Sequence, residues 1–164
     1  MSLARISTQL PAAFDTLIED AEADGHRHMS RLATEFDETP AMFHAIFAAY
    51  VGDDLAGLGA ITAEPERTSI PAWRMRRLYV HRQFRRRGGA RAIALALMQE
   101  AASKVRMVTV NAGNEHAACF WEQMGFYQVD GKNWTHERGL NDRHTVADGR
   151  SAALDVAASA SRPE

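Results

Sequence analysis

Apolar residues recur at two different periods along this chain, and the changes of period mark its elements. "LARIS" at the start reads as a short edge strand. After Pro11, "AAFDTLIEDAEA" sets Phe14, Leu17 and Ile18 at helical spacing, and Gly25 breaks the run. "HRHMSRLATEFDE" is a second helix with Met29, Leu32 and Phe36 on one stripe, closed by Pro40. "FHAIFAAYV" and "LAGLGAIT" flank the turn residues Gly52, Asp53 and Asp54, which predicts an antiparallel hairpin. "AEPERTSIPA" is a loop, and "WRMRRLYV" alternates as a strand. "GARAIALALMQEAASK", rich in Ala and Leu, is the strongest helix, and the β-branched "VRMVTVNA" is a strand. "EHAACFWEQM" is a helix stopped by Gly125. "FYQVD" and "NWTHE", joined around Gly131 and Lys132, form a last hairpin.

The resulting order, β-α-α-β-β-β-α-β-α-β-β, alternates strand and helix only in its second half. That predicts an α/β (α+β) class with a mixed sheet. Residues 1–138 are expected to form one domain. Residues 139–164, where Ala, Ser and Asp dominate, are expected to be a mobile tail or a weak helix.

Composition narrows the function. A length of 164 residues suits a single domain, and 46% hydrophobic with 24% charged residues fits a soluble globular protein. Cys119, the single cysteine, excludes an internal disulfide and a cysteine-based zinc site, and no metal is expected. No apolar run reaches membrane-spanning length, and "MSLARISTQL" lacks the apolar core of a signal peptide. The cytoplasm is therefore the expected location, with no membrane partner.

The net charge of −2 and a pI near 6.4 argue against a general polyanion binder. The basic charge is local instead: eight of the 19 Lys and Arg residues fall at positions 74–91. Within that stretch "RRRGGAR" occupies 85–91, between a strand and the strongest helix. It could be a nucleic-acid patch, a phosphate cradle or a solvated loop. A nucleic-acid surface would interleave aromatics with the arginines, and only Tyr79 and Phe84 lie near. A strand–loop–helix junction with glycine aims backbone N–H groups and the positive end of the helix dipole at one point, which suits a diphosphate. Gly88 and Gly89 let the backbone come close to a ligand. No Lys-Ser/Thr follows, as a P-loop requires, and the Gly-x-Gly-x-x-Gly fingerprint of dinucleotide folds is absent.

Arg85-x-x-Gly88-x-Ala90, after "LYV" and opening a helix, resembles the coenzyme A signature of the GNAT superfamily of N-acetyltransferases. A second block, "NEHAACFWEQMGF", places Asn114, Ala117, Phe120, Trp121, Gly125 and Phe126 where that superfamily has its next conserved positions. The two blocks stand in the right order, one helix and one strand apart. The resemblance covers roughly residues 43–137. It implies a mixed, mostly antiparallel sheet of about six or seven strands flanked by about four helices, with one parallel pair splayed around acetyl-CoA.

The same resemblance implies the site. Leu78, Tyr79 and Val80 would offer backbone groups to the pantetheine, and Arg85, Arg86, Arg87, Gly88, Gly89 and Ala90 would hold the pyrophosphate. Asn114, Ala117, Phe120 and Trp121 would border the cofactor. A small-molecule amine would then attack the thioester directly, with a backbone N–H near Leu78 or Val80 steadying the negative charge that develops.

Two positions depart from the family pattern. Trp121 stands where a proton-donating Tyr is usual, and Arg74 where many members carry Glu. That leaves Tyr79, His136 and Glu64 as acid–base candidates. It also keeps alive a rival, a catalytically degenerate acyl-CoA sensor or partner module. A nucleic-acid-binding module is the other rival. Arg74, Arg76 and Arg77 are expected to border the acceptor groove, and an arginine there would suit an amine that also bears a carboxylate. Alternation sets Arg74 and Arg76 on one face and Arg77 with Tyr79 on the other, unless a bulge shifts the phase. The competing expectation pairs these arginines with Glu64, Glu66 or the acidic residues 19–22. Asn114 is also a good helix N-cap, Trp121 a groove-wall or core aromatic and Cys119 a small buried helix residue. His26 and His28 read as a surface pair rather than metal ligands. A homodimer stays open.

Overall fold

The structure, a computed structural model, describes residues 1–140; the expectation for 141–164 lies outside the described residues. The chain opens with β1 (Ser2–Arg5), followed by α1 (Phe14–Ala23) and α2 (His28–Glu38). Helix α1 starts three residues after Pro11, whose carbonyl accepts the Phe14 N–H at 2.9 Å. Strands β2 (Phe43–Val51) and β3 (Asp54–Ala63) form the hairpin at Gly52, and β4 (Ala72–Val80) pairs with β3. Then come α3 (Gly89–Ala102), β5 (Met107–Val110), α4 (Glu115–Gln123), β6 (Tyr127–Gln128) and β7 (His136–Gly139).

The seven strands make one sheet in the order β1-β2-β3-β4-β5-β7-β6, antiparallel throughout except for β4 and β5. One face carries α3 and α4 over Ile61, Met75, Val108 and Val110. The other carries α1 and α2 over Ile46, Leu58, Ala60 and Tyr79. The last hairpin is shorter than the sequence pattern suggests. Its ladder ends at Gln128 and His136, with one further bond from the Val129 N–H to the Thr135 carbonyl at 2.9 Å, and the Thr135 hydroxyl accepts the Ala112 N–H at 2.8 Å. Strand β7 runs to Gly139, and the Leu140 N–H donates to the Arg106 carbonyl at 2.9 Å while its side chain packs on the α3 face.

Two features of β4 shape the site at its end. First, its parallel ladder with β5 covers only Ala72–Arg74, opposite Met107, Val108 and Thr109. Beyond Arg74 the two strands diverge. Second, β4 carries a bulge: Leu58 faces Tyr79 and Ala60 faces Arg76, so the single Gly59 stands opposite both Arg77 and Leu78. Arg77 takes up the extra residue at φ 55, a left-handed conformation rare outside glycine. Gly59 is the matching requirement on the partner strand. A Cβ there would stand 2.7 Å from Ile93 Cγ2 and 3.0 Å from Leu78 Cδ1, so only glycine lets α3 lie this close to the sheet.

The bulge changes which side chains share a face. Met75 and Leu78 pack under α3, whereas Arg76 reaches Thr62 and Arg77 reaches Glu35 of α2. Arg74, Arg76, Arg77 and Tyr79 therefore all face α1 and α2. The phase shift overturns the strict alternation that would separate Arg77 and Tyr79 from Arg74 and Arg76.

Candidate cofactor and acceptor site

Where β4 ends, the chain makes one 3-10 turn (Arg82–Phe84) and enters α3. Gly88 is the N-cap of α3 at φ 83, and no side chain caps the helix among the described residues. The first-turn N–H groups of α3 are thus left without a side-chain acceptor, at the positive end of a 14-residue helix. A cavity of about 260 Å³ opens against them. Val80, Gly88, Gly89 and Ala90 line it along the backbone, with Arg85 and Arg86 at its side and Phe120 of α4 opposite. Nothing lies within 4 Å of where a Cβ on Gly88 would stand, so the space in front of the helix is open. Free N–H donors, flanking guanidinium groups and an unfilled approach together fit the diphosphate of coenzyme A.

The cavity is also lined by Gln123 and Met124, which the sequence pattern did not bring forward, and by Arg91, the last residue of the arginine stretch. Arg91 lies about one helical turn after Gly88, and Gln123 and Met124 one turn after Phe120. Helical spacing from the motif residues would have found them. Leu78 is half-buried under α3, beside the gap rather than on the cavity. Arg87 lies over the Phe84 ring at 5.8 Å. Asn114 accepts the Ala117 N–H at 2.9 Å, the N-cap role its position suggests. Trp121 is buried in the core, edge-on to Phe126 at 5.1 Å. Cys119 is exposed, contrary to the buried position expected of it. The apolar stripe of α4 runs through Ala117, Phe120, Trp121 and Met124, which turns Cys119 to solvent. Trp121→Phe should retain turnover within about tenfold and mainly cost stability, since an indole N–H is no acid near neutral pH. A thiol-release assay checks this, and a thousandfold loss would contradict it.

The arginine turn is anchored by a carboxylate that the sequence pattern did not single out. Asp20, buried on α1, accepts the Arg82 N–H, the Arg82 Nε–H and the Tyr79 hydroxyl, each at 2.9 Å. Burial pushes its carboxyl up, but these three donors outweigh that and hold it below the usual range. Asp24, at the end of α1, is held low chiefly by its hydrogen bond from Arg85. Arg85 also donates to the Val80 carbonyl at 3.1 Å. Both carboxylates stabilise the fold fully above the unfolded value of about 3.9, and that contribution is lost as pH falls through their lower folded values. The urea midpoint should therefore drop steeply below about pH 4. The drop should be smaller in Asp20→Ala; an equal drop would remove Asp20 from the account.

The three acid–base candidates lie apart. The Tyr79 hydroxyl is engaged by Asp20, and burial, followed by that carboxylate, pushes its pKa upward. Glu64 sits where β4 and β5 part, with only 1% of its side chain exposed. Arg74 binds it in bidentate fashion, at 2.9 Å from Nε and 2.6 Å from Nη2, and the Thr109 hydroxyl donates to it as well. His136 lies on the α4 face beside Val110, 3% exposed. Its Nδ1 is 2.9 Å from the Thr135 hydroxyl, and among the described residues its buried Nε2 has no hydrogen-bond partner.

The family model described as the GNAT acetyltransferase family matches residues 10–126. Among curated proteins none matches the sequence. Solved structures do match. A candidate acetyltransferase from Exiguobacterium sp. 255-15 superposes with TM-score 0.74 at 19% identity, over 84% of this chain and 92% of that one. The GNAT family N-acetyltransferase YhbS from Escherichia coli, in complex with CoA, gives 0.63 at 13%, over 86% and 82%. A mutant of the AtaT toxin bound to the C-terminus of the antitoxin AtaR gives 0.57 at 16%, over 85% and 91%. Among the described residues no helix is long and apolar enough to cross a membrane.

Proposed function

Since this chain belongs to the GNAT family of acetyltransferases, an N-acetyltransferase that works from acetyl-CoA, we propose that its acceptor is a small-molecule primary amine. In this reading the amine approaches the β4–β5 gap from the α1/α2 face. When bound, acetyl-CoA supplies an acetyl thioester that a free amine attacks, yielding an acetamide and the free thiol. The observation that carries the reading is the divergence of β4 from β5 after Arg74, next to the uncapped start of α3.

Each part of the chain has a task in this scheme. The first-turn N–H groups of α3 and the flanking Arg86 hold the diphosphate. The β5-facing edge of β4 from 75 to 80 lies beyond the paired stretch, leaving its backbone groups to receive the pantetheine. Asp20 fixes the exit of β4 through Tyr79 and Arg82, so the arginine turn is already in place before binding. Glu64 has its oxygens filled by Arg74, Thr109 and the Glu66 N–H at 3.0 Å, so it braces the point of divergence rather than taking a proton. His136 has a ring nitrogen with no hydrogen-bond partner among the described residues, 3.7 Å from Glu122 Oε1. Positioning supplies much of the rate, an effect worth roughly 7–11 kcal/mol at best.

An amine panel followed by thiol release and mass spectrometry tests the reading. Acetylation of small primary amines is expected. Tight acetyl-CoA binding with no small amine acetylated would overturn it.

A further inference from the structure

Resting on the small-amine reading, we infer that Arg76 is the anchor for a carboxylate on the acceptor, so that the substrates are amines of amino-acid type. Three arginines share the α1/α2 face of β4 because of the bulge at Arg77. Two are neutralised within the protein: Arg74 by Glu64 and Arg77 by Glu35, both in two-point contacts. Arg76 lies between them and forms no ion pair among the described residues. The group of three arginines and two glutamates therefore carries one surplus positive charge, and it resides on Arg76.

The geometry of that charge is specific. The Arg76 Nε–H donates to the Thr62 hydroxyl at 3.0 Å, and the buried Thr62 hydroxyl donates in turn to the Ala63 carbonyl at 3.0 Å. This fixes the plane of the guanidinium by one edge. Its two Nη groups meet no hydrogen-bond partner among the described residues, so the remaining edge presents paired donors, the shape that receives a carboxylate. Arg76 is only half-exposed, which leaves its donors poorly hydrated and raises the gain from an anionic partner. Burial, then Arg77 and Arg74, lower its pKa, and Glu35 and Glu64, engaged by the neighbouring arginines, offset this only in part. Its Cα lies two residues, roughly 7 Å along a strand, before Leu78 in the unpaired part of β4. A carboxylate held there sets an amine a few bonds away toward the gap. One surplus charge matches a carboxylate monoanion.

The test compares L-alanine, L-phenylalanine and L-glutamate with their α-carboxamides in the thiol-release assay. Wild type, Arg76→Gln and Arg76→Lys are run side by side, and acetyl-CoA affinity is measured for each by calorimetry. Wild type should favour acids over amides in kcat/KM by roughly 10- to 100-fold. Arg76→Gln should bring the ratio near one by raising KM for the acids alone, with amide turnover and acetyl-CoA affinity kept. Arg76→Lys should fall between, since it keeps the charge and loses the paired donors. Comparing the ratio between variants removes the intrinsic difference in basicity between acid and amide amines. If wild type uses both classes equally, or the preference survives both substitutions, the anchor is wrong while the amine acetyltransferase stands. If no small amine is acetylated although acetyl-CoA binds, both readings fall.

Discussion

Gly88→Glu is expected to abolish acetyl-CoA binding while the fold persists. Gly88 caps α3 at φ 83, and a Cβ there meets nothing within 4 Å, so the new side chain enters the open cavity rather than the core. It sets a carboxylate in the space that the diphosphate needs, in front of the uncapped N–H groups. Like charges forced together in such a site cost several kcal/mol, a loss of roughly a hundredfold or more in affinity. The positive φ adds strain for any side chain, on the order of 1 kcal/mol. Gly88→Ala separates the two effects: it carries the strain without the charge, and should lose stability but keep most of the affinity. Calorimetry on both variants decides. Equal losses in Ala and Glu would assign the effect to backbone strain and remove the diphosphate from this position.

The largest stability effect is expected at Asp20. Replacement by Ala leaves the Arg82 backbone N–H without its acceptor and removes the counter-charge of the Arg82 guanidinium, while the Tyr79 hydroxyl falls back on the carbonyl of residue 20 at 3.2 Å. Breaking such a pair from one side costs about 3–5 kcal/mol when both partners are buried. Here the Arg82 side chain is about half exposed and can hydrate, so the cost reduces to that of the unsatisfied backbone donor, about 1–3 kcal/mol. Asp20→Asn keeps an acceptor for one donor and should cost less. Urea unfolding of the three proteins gives the comparison. A change below about 1 kcal/mol in Asp20→Ala would mean that the exit of β4 is held by packing alone. Since the same contacts position the arginine turn, acetyl-CoA affinity should fall as well.

Much of the fold follows from local pattern. Helix α3 declares itself through Ala and Leu after paired glycines, and the β2–β3 hairpin through Gly52-Asp53-Asp54. The strand–arginine turn–helix junction was legible because the chemistry sits in consecutive residues. What was not legible depends on distant partners. Nothing about Arg77 marks it as a bulge; the single residue that stands opposite it, Gly59, lies eighteen positions earlier in the chain. Asp20 looks like one more acid on an acidic helix until Arg82, 62 residues on, folds against it. Likewise, three arginines on a strand look alike in sequence. Only the positions of Glu64 and Glu35 show that Arg74 and Arg77 are ion-paired and that Arg76, among the described residues, is not.

Amide hydrogen exchange with and without coenzyme A, read by mass spectrometry, tests most directly whether the cofactor lies in the gap between β4 and β5 against the start of α3. Exchange should slow in peptides covering 75–80 and 85–92, and in the α4 segment that carries Phe120. The hairpin of β2 and β3 should be unchanged. Coenzyme A that binds but slows exchange only around the α1–α2 turn, or nowhere on β4 and the start of α3, would contradict the site.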